Sequence, residues 1–417
     1  MITPRRTSPT RALLTNRSFT VLWIGQTIST IGDVLYGVAL LWYVLDKTSS
    51  AFSAGLIAVA AMLGRLTGGA IAATLLDRFP ARRVMLLSDG MRCALTGLTG
   101  ACWLGGLVPP LAIIYGVAGI GVLGGALFNP ARASALPQIV PREQLVAANA
   151  LDKLTAGLTD TLIFGISGAV VAILGPARSL TLDALTFLIS FAAVWVARWV
   201  ETPTASSVTN RPFAGLRTGL CWVRDNPLAR TVLLAQLAHA LGGGLFFAGI
   251  APFLRRHLDG GAAIYGRQGA VFSVGLVIGA ALIVWQAPRR VGLIYAWGIV
   301  VNGLGNSGFA LSSSLALLLP AVFVAGLGNA ALATCEITLL QSYLPPALRG
   351  RIFALAQTIA TAVVLPAIAL GGWLSDRTDP RWLLLGASLA HIAIGGLLAL
   401  NGPIRESRAA GGETEGE

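Results

Sequence analysis

Apolar runs long enough to cross a bilayer, separated by loops too charged to enter one, leave this chain few ways to fold. The clearest case lies between Gly68 and Arg92. A run ending Gly68-Gly69-Ala70-Ile71-Ala72-Ala73-Thr74-Leu75-Leu76 stops at Asp77-Arg78-Phe79-Pro80-Ala81-Arg82-Arg83, and the next apolar run opens at Val84. A seven-residue turn with one acid and three arginines is excluded from hydrocarbon, and short Arg-rich loops stay on the cytoplasmic side. Reading apolar stretches of about 20 residues as spans predicts twelve of them. They fall at 19–45, 51–76, 84–106, 109–130, 146–173, 179–199, 229–253, 267–287, 291–312, 315–341, 352–375 and 382–401.

Only 12% of the 417 residues are charged and 55% are hydrophobic, with a mean hydropathy of +0.74. An average soluble domain is about 25% charged, so the expected solvent is a lipid bilayer. The 50 glycines suit close helix approach in a membrane. A net charge of +12 could suggest a nucleic-acid partner, but its distribution argues otherwise. With the N-terminus placed inside, 20 Lys and Arg residues fall on that side and 7 on the other, and Arg65, Arg92 and Lys153 lie within spans. The charge therefore sets topology: both termini are expected in the cytoplasm and nucleic acid is not expected as a partner. The first apolar segment is too long for a signal peptide. Cys93, Cys102, Cys221 and Cys335 lack metal or disulfide spacing, so neither metal nor cofactor is expected.

The expected organisation is a cytoplasmic tail (1–18), a six-helix bundle (19–199), a cytoplasmic linker (200–228), a second six-helix bundle (229–401) and a second tail (402–417). The halves echo each other. Arg82-Arg83-Val84 opens the third span and Arg289-Arg290-Val291 opens the ninth, 207 positions later; Val140-Pro141 is matched by Leu344-Pro345, 204 positions later. A near-constant offset of half the chain is the mark of parallel six-helix repeats. The second copy lacks the acid, since Val284 stands at the position equivalent to Asp77.

The Asp77–Arg83 turn resembles the signature loop between the second and third helices of the major facilitator superfamily. Ser88-Asp89-Gly90-Met91-Arg92 is similar to the Ser-Asp-x-x-Arg element of the branch that includes macrolide efflux proteins and enterobactin-type siderophore exporters. Asn129-Pro130-Ala131-Arg132 with Ala148-Asn149-Ala150-Leu151, and Leu348-Arg349-Gly350-Arg351-Ile352-Phe353-Ala354, resemble that branch's later loops. The resemblance implies an all-α polytopic membrane protein of twelve helices in two pseudo-symmetric bundles, a transporter in the plasma membrane and not an enzyme. It also implies that Asp77, Arg78, Arg82 and Arg83 form a cytoplasmic gate, which Asp89 and Arg92, at i, i+3 spacing, extend. The sequence departs from the family in three ways. Pro80 replaces the loop glycine, the fourth span lacks an Arg, and Ile163-Phe164 stand where antiporters carry Gly-Pro.

Charges inside the spans are the candidate machinery. Asp33, Arg65 and Asp160 lie near the middles of the first, second and fifth spans. Exposed to lipid, the three would together cost roughly 8–10 kcal/mol. Asp33 is expected to pair with Arg65, from the neighbouring span at similar depth, either as a static bridge or as a proton switch. Asp160, without a cation nearby in sequence, is a candidate proton carrier. His239 and Glu336 are further candidates for proton coupling or the central cavity, while Asp183 is placed to snorkel to the outer interface. Trp23, Tyr36, Trp42 and Phe246 could offer stacking surface to a substrate. The expected function is proton-driven export of an amphipathic small molecule, such as an antibiotic or other secondary metabolite, by a protein working as a monomer. A siderophore or lysophospholipid transporter of the same branch is the alternative. A membrane-embedded enzyme or receptor is disfavoured by three histidines without ligand spacing, and ATP-driven pumping by the absence of a GxxxxGK[ST] loop.

Overall fold

The computed structural model describes residues 13–141, 144–199, 222–286, 290–343 and 346–407. Among these, all regular structure is helical. The long helices are α1 (Arg17–Thr48), α2 (Ala51–Arg78), α3 (Ala81–Leu104), α4 (Leu111–Ile139) and α5 (Leu145–Val196), then α6 (Pro227–Leu258), α7 (Ala262–Gln286), α8 (Val291–Leu311), α9 (Leu315–Tyr343), α10 (Pro346–Arg377) and α11 (Pro380–Leu400). A short helix, Gly402–Arg405, follows. Nine stretches among the described residues are long and apolar enough to cross a membrane. Residues 200–221 of the expected linker, 1–12 and 408–417 of the two tails, and the Leu344-Pro345 element lie outside the described residues.

Three of the long helices begin at a side chain that accepts from their first N–H groups. Asn16 caps α1 by accepting from the Phe19 N–H at 3.2 Å, and its amide donates to the Ile139 carbonyl at the end of α4 at 2.8 Å. Asn226 caps α6 and Asp379 caps α11, each followed by a proline, whose missing N–H costs nothing at a helix start. The fifth and sixth expected spans are joined more tightly than the sequence reading placed them. Their five-residue gap is a single interruption at Gly175, where φ is +74°, and Pro176 opens the second arm. Only glycine takes that φ without strain.

The chain divides into two compact units, one of residues 1–49 and 56–207, the other of 50–55 and 208–417. In the first, α5 packs along α1 and α3, over a core that includes Leu22, Met85, Phe128 and Val194. α2 and α4 meet backbone to backbone, because a Cβ at Gly64 would lie 1.9 Å from the Gly119 carbonyl oxygen. In the second, Tyr295, Ile299, Leu339 and Leu398 form a core around α8, and Phe246 and Phe253 pack on Phe309. Large apolar side chains such as Leu98, Ile173 and Leu400 are outward and exposed, the inversion of a soluble surface that lipid requires.

The second unit holds a polar cluster at one end. Asp376, at the end of α10, accepts from the Ser50 hydroxyl (2.6 Å) and from the N–H groups of Ala51 (2.6 Å) and Phe52 (3.1 Å). The first turn of α2 is thus capped by a carboxylate from far along the chain. Nearby, Asp379 accepts from the Arg381 N–H at 2.9 Å and contacts the His257 ring at 2.7 Å. Burial alone would raise the Asp379 carboxyl, but these hydrogen bonds and the positive charges of His257 and Arg381 outweigh it and hold the group below its usual value.

Two predictions follow from these contacts. Gly64→Leu should destabilise the purified protein by about 1–3 kcal/mol through overpacking, whereas Gly69→Ala, with open space around it, should melt like wild type. Asp379→Ala should cost about 1 kcal/mol near neutral pH as a lost cap. Because the folded value is depressed, the stabilisation from the ionised group is present above the unfolded Asp value of about 3.9 and disappears as pH falls through the folded value. Melting curves from neutral to acid pH should therefore converge.

Candidate functional site

Polar residues of the first unit gather on helix stripes that face one another. On α1 the stripe is Trp23, Gln26, Thr27, Thr30 and Asp33; on the second arm of α5 it is Asp183, Thr186, Phe187 and Ser190, spaced i, i+3, i+4, i+7. Between them α3 contributes Ser88, Asp89 and Arg92, all buried. α4 contributes mostly absence. A Cβ at Gly124 would lie 2.6 Å from the Cγ of Arg92, so glycine there leaves room for the arginine stem. The Ser88 hydroxyl donates to the Gly124 carbonyl at 2.6 Å and fixes the two helices at this level.

Arg92 is the organising cation. Its Nη2 donates to Asp33 Oδ1 in an ion pair, and its guanidinium lies over the Phe187 ring, 3.8 Å from the centroid, in cation–π geometry. The arginine side chain is 8% exposed and that of Asp33 41%, so the pair joins the packed interior to an open side. Asp89 is fully buried. Its Oδ2 accepts from the Ser190 hydroxyl at 2.6 Å, and Ser190 in turn accepts from the Gln26 amide at 2.6 Å. Asp183 is 1% exposed and packs on the backbone of α1, where a Cβ at Gly32 would lie 2.4 Å from its Oδ1.

A second, smaller group lies along the same stripe of α1. Arg132 of α4 pairs with Asp152 of α5, and the Trp23 indole donates to the Thr155 hydroxyl at 3.1 Å. With Gln26, Thr27 and Thr30 these residues line a polar cleft. The Asn129–Arg132 element thus acts through an ion pair that ties α4 to α5.

Several sequence expectations are corrected here. Asp33 pairs with Arg92, not Arg65, which is exposed on α2 and makes no hydrogen bond or ion pair among the described residues. Asp89 and Arg92 lie close in charge but make their hydrogen bonds across helices, with Ser190 and with Asp33. Asp183 does not snorkel; it is buried against α1. Tyr36, Trp42 and Phe246 are core residues rather than open stacking surface. Of the turn residues, Asp77, Arg78 and Arg83 are exposed. Arg82 donates to the Trp195 carbonyl in the last turn of α5 and lies over the Trp199 ring, which places a cation at the negative end of that helix. The side chain of Asp160, and those of Leu348 to Ala354, lie outside the described residues.

In the second unit, His239 faces His391, with ring centroids 4.7 Å apart. Glu336 is buried and makes no ion pair among the described residues. No group of three metal-ligating side chains occurs among the described residues. The first unit thus brings three acids, Asp33, Asp89 and Asp183, around one arginine. Sequence reasoning passed over Ser190 and Gln26 and sent Asp183 to the outer interface, although their helical spacing on otherwise apolar spans was visible.

A family model described as transmembrane secretion effector matches residues 8–415. The chain is 27% identical over 384 residues to the multidrug efflux pump Tap of Mycolicibacterium fortuitum, covering 87% of this chain and 90% of that protein. It is 28% identical over 402 residues to the enterobactin exporter EntS of Shigella boydii, covering 93% and 92%. In fold it is similar to the crystal structure of a bacterial homologue of the iron transporter ferroportin in an inward-facing state. The TM-score is 0.69 at 16% identity, over 92% of this chain and 99% of that one.

The pairing predicts a specific rescue pattern. Asp33→Asn removes the carboxylate with which Arg92 is paired and should cost up to about 2–3 kcal/mol, below the ~3–5 kcal/mol of fully buried pairs because Asp33 is half exposed and other acids lie near Arg92. Adding Arg92→Gln should restore the melting temperature in detergent, and adding Arg65→Gln should not. Rescue by Arg65→Gln alone would refute the assigned pair.

Proposed function

We propose a proton-driven exporter of amphipathic small molecules, on the premise that this chain belongs to the transmembrane secretion effector family of the major facilitator superfamily. It is a multi-pass membrane transporter and not an enzyme. The observation that carries the proton-driven reading is the Asp33–Arg92 pair, with Arg92 packed away and Asp33 half exposed. A carboxylate that reaches an open side while anchored to a buried arginine can be neutralised by a proton or by a cationic substrate. Either event frees the arginine, and the resulting charge imbalance drives a change of conformation.

The topology proposed is twelve crossings in two six-helix bundles (19–199 and 229–401), with both termini in the cytoplasm and the plasma membrane as the site of action. The 20-to-7 bias of basic residues supports it. The two arms of α5 about Gly175 are proposed as two of the twelve. Asp77 with Arg78, Arg82 and Arg83 is proposed to gate the cytoplasmic face, because a loop that only anchored topology would need the arginines and not the acid. The protein is proposed to work as a monomer. A second reading, export of a siderophore, is favoured by the likeness to the enterobactin exporter.

Expression in a bacterium stripped of its own drug pumps should lower accumulation of ethidium, and collapse of the proton gradient should abolish the effect. Protection against a catecholate siderophore with no effect on ethidium would select the second reading. Asp77→Asn should insert normally yet transport poorly; wild-type transport at equal expression would remove its gating role. In intact cells an impermeant thiol reagent should label a cysteine placed at Gly261 and spare one placed at Pro80. Labelling of position 80 from outside would overturn the topology.

A further inference from the structure

The first unit contains more acid than its arginine can neutralise. Asp33, Asp89 and Asp183 surround Arg92, and a fully ionised set would leave two uncompensated negative charges within the span region. Each would cost at least about 2.5–3.5 kcal/mol. The Asp33–Arg92 ion pair is formed, and Asp89 accepts a short hydrogen bond from Ser190 on Oδ2, although its Oδ1 has no partner among the described residues. Asp183 has the weakest support. Thr186 reaches its Oδ1 only at 3.4 Å, its Oδ2 has no hydrogen-bond partner among the described residues, and the residue is 1% exposed. It lies against the Gly32 backbone, one residue before Asp33, and one helical turn from Phe187, on which Arg92 stacks. The groups facing it are Asp33 and Tyr36 from α1 and Arg92 and Cys93 from α3, and none with a charge from α4.

We propose that Asp183 is the proton store of this site, exchanging its proton with Asp33 while Arg92 moves the opposite way between the two carboxylates. In the state described, Asp33 is ionised and bound to Arg92, and Asp183 holds a proton. In the alternate state the proton has passed from Asp183 to Asp33, and Arg92 pairs with the Asp183 carboxylate. One O–H bond breaks at Asp183, one forms at Asp33, and the net charge of the site is the same in both states. Asp33, half exposed, is the carboxyl that trades protons with water; Asp183 is reached only through it. Gly32 is a positioning residue, since any side chain there would push Asp183 from α1. This inference rests on the proton-driven reading above.

The test uses the full chain, purified and reconstituted in proteoliposomes, with ethidium as the transported probe. Asp183→Asn mimics the protonated acid and leaves the Asp33–Arg92 pair intact, so it should melt with wild type. Infrared spectra of wild type should show the carbonyl stretch of protonated buried carboxyls, and Asp183→Asn should lose one component of that band. Gradient-driven ethidium accumulation should be lost in Asp183→Asn while downhill ethidium flux persists. Asp183→Glu should recover part of the driven flux. An unchanged infrared band, a strongly lowered melting temperature for Asp183→Asn, or wild-type accumulation by that variant would each overturn the proposal. If wild type itself ignores the gradient, the proton-driven reading fails, and the infrared band still decides whether Asp183 holds a proton.

Discussion

A guanidinium without access to bulk water has to be surrounded by compensation, and the first unit is arranged around that need at Arg92. Its charge is met by Asp33, its flat face by the Phe187 ring, and its stem by the gap at Gly124. These partners come from α1, α5 and α4, while Arg92 itself is on α3. One residue therefore sets the rotation of four helices about their axes, something apolar packing in lipid does weakly because lipid tails are as apolar as leucine. The Ser88–Gly124 and Gln26–Ser190–Asp89 hydrogen bonds fix the same four helices at neighbouring levels.

The two units share a fold class but differ in chemistry. The described part of the second has an imidazole pair, His239 and His391, in place of the charge cluster, and its Glu336 makes no ion pair. The sequence shows the same asymmetry, with Val284 standing where the first half has Asp77. A transporter built from duplicated halves needs only one of them to carry the energy-coupling groups. The described part of the second half carries no counterpart of the Asp33–Arg92 pair.

What was legible in the sequence, and what was not, follows from the ranges of the forces involved. Helix positions are written in long apolar runs, and α1 to α4 and α6 to α11 lie over the expected spans. The family was legible in local elements such as Asp77–Arg83 and Ser88–Arg92. Side-chain partners were not, because pairing depends on helix rotation as well as depth. Asp33 and Arg65 match in depth and adjacency, yet Arg65 points out of the unit and Arg92, two helices on, points in. The stripe Asp183, Thr186, Phe187, Ser190 did carry that rotational information. Also overlooked was the likeness of Asp376-Arg377-Thr378-Asp379-Pro380-Arg381 to Asp77-Arg78-Phe79-Pro80-Ala81-Arg82, two turns with the same order of acid, arginine, proline and arginine.

The Asp376 cap bears on how the chain is made. α2 leaves the ribosome early, while the carboxylate that satisfies its first N–H groups is 325 residues downstream of Ala51. At a synthesis rate of about 5–20 residues per second, that interval lasts on the order of a quarter-minute to a minute. Throughout it the first turn of α2 depends on interfacial water or lipid headgroups for its hydrogen bonds. Truncated chains that end before α10 is complete never acquire the cap. An unfinished copy of the protein therefore differs from a finished one at the first turn of α2.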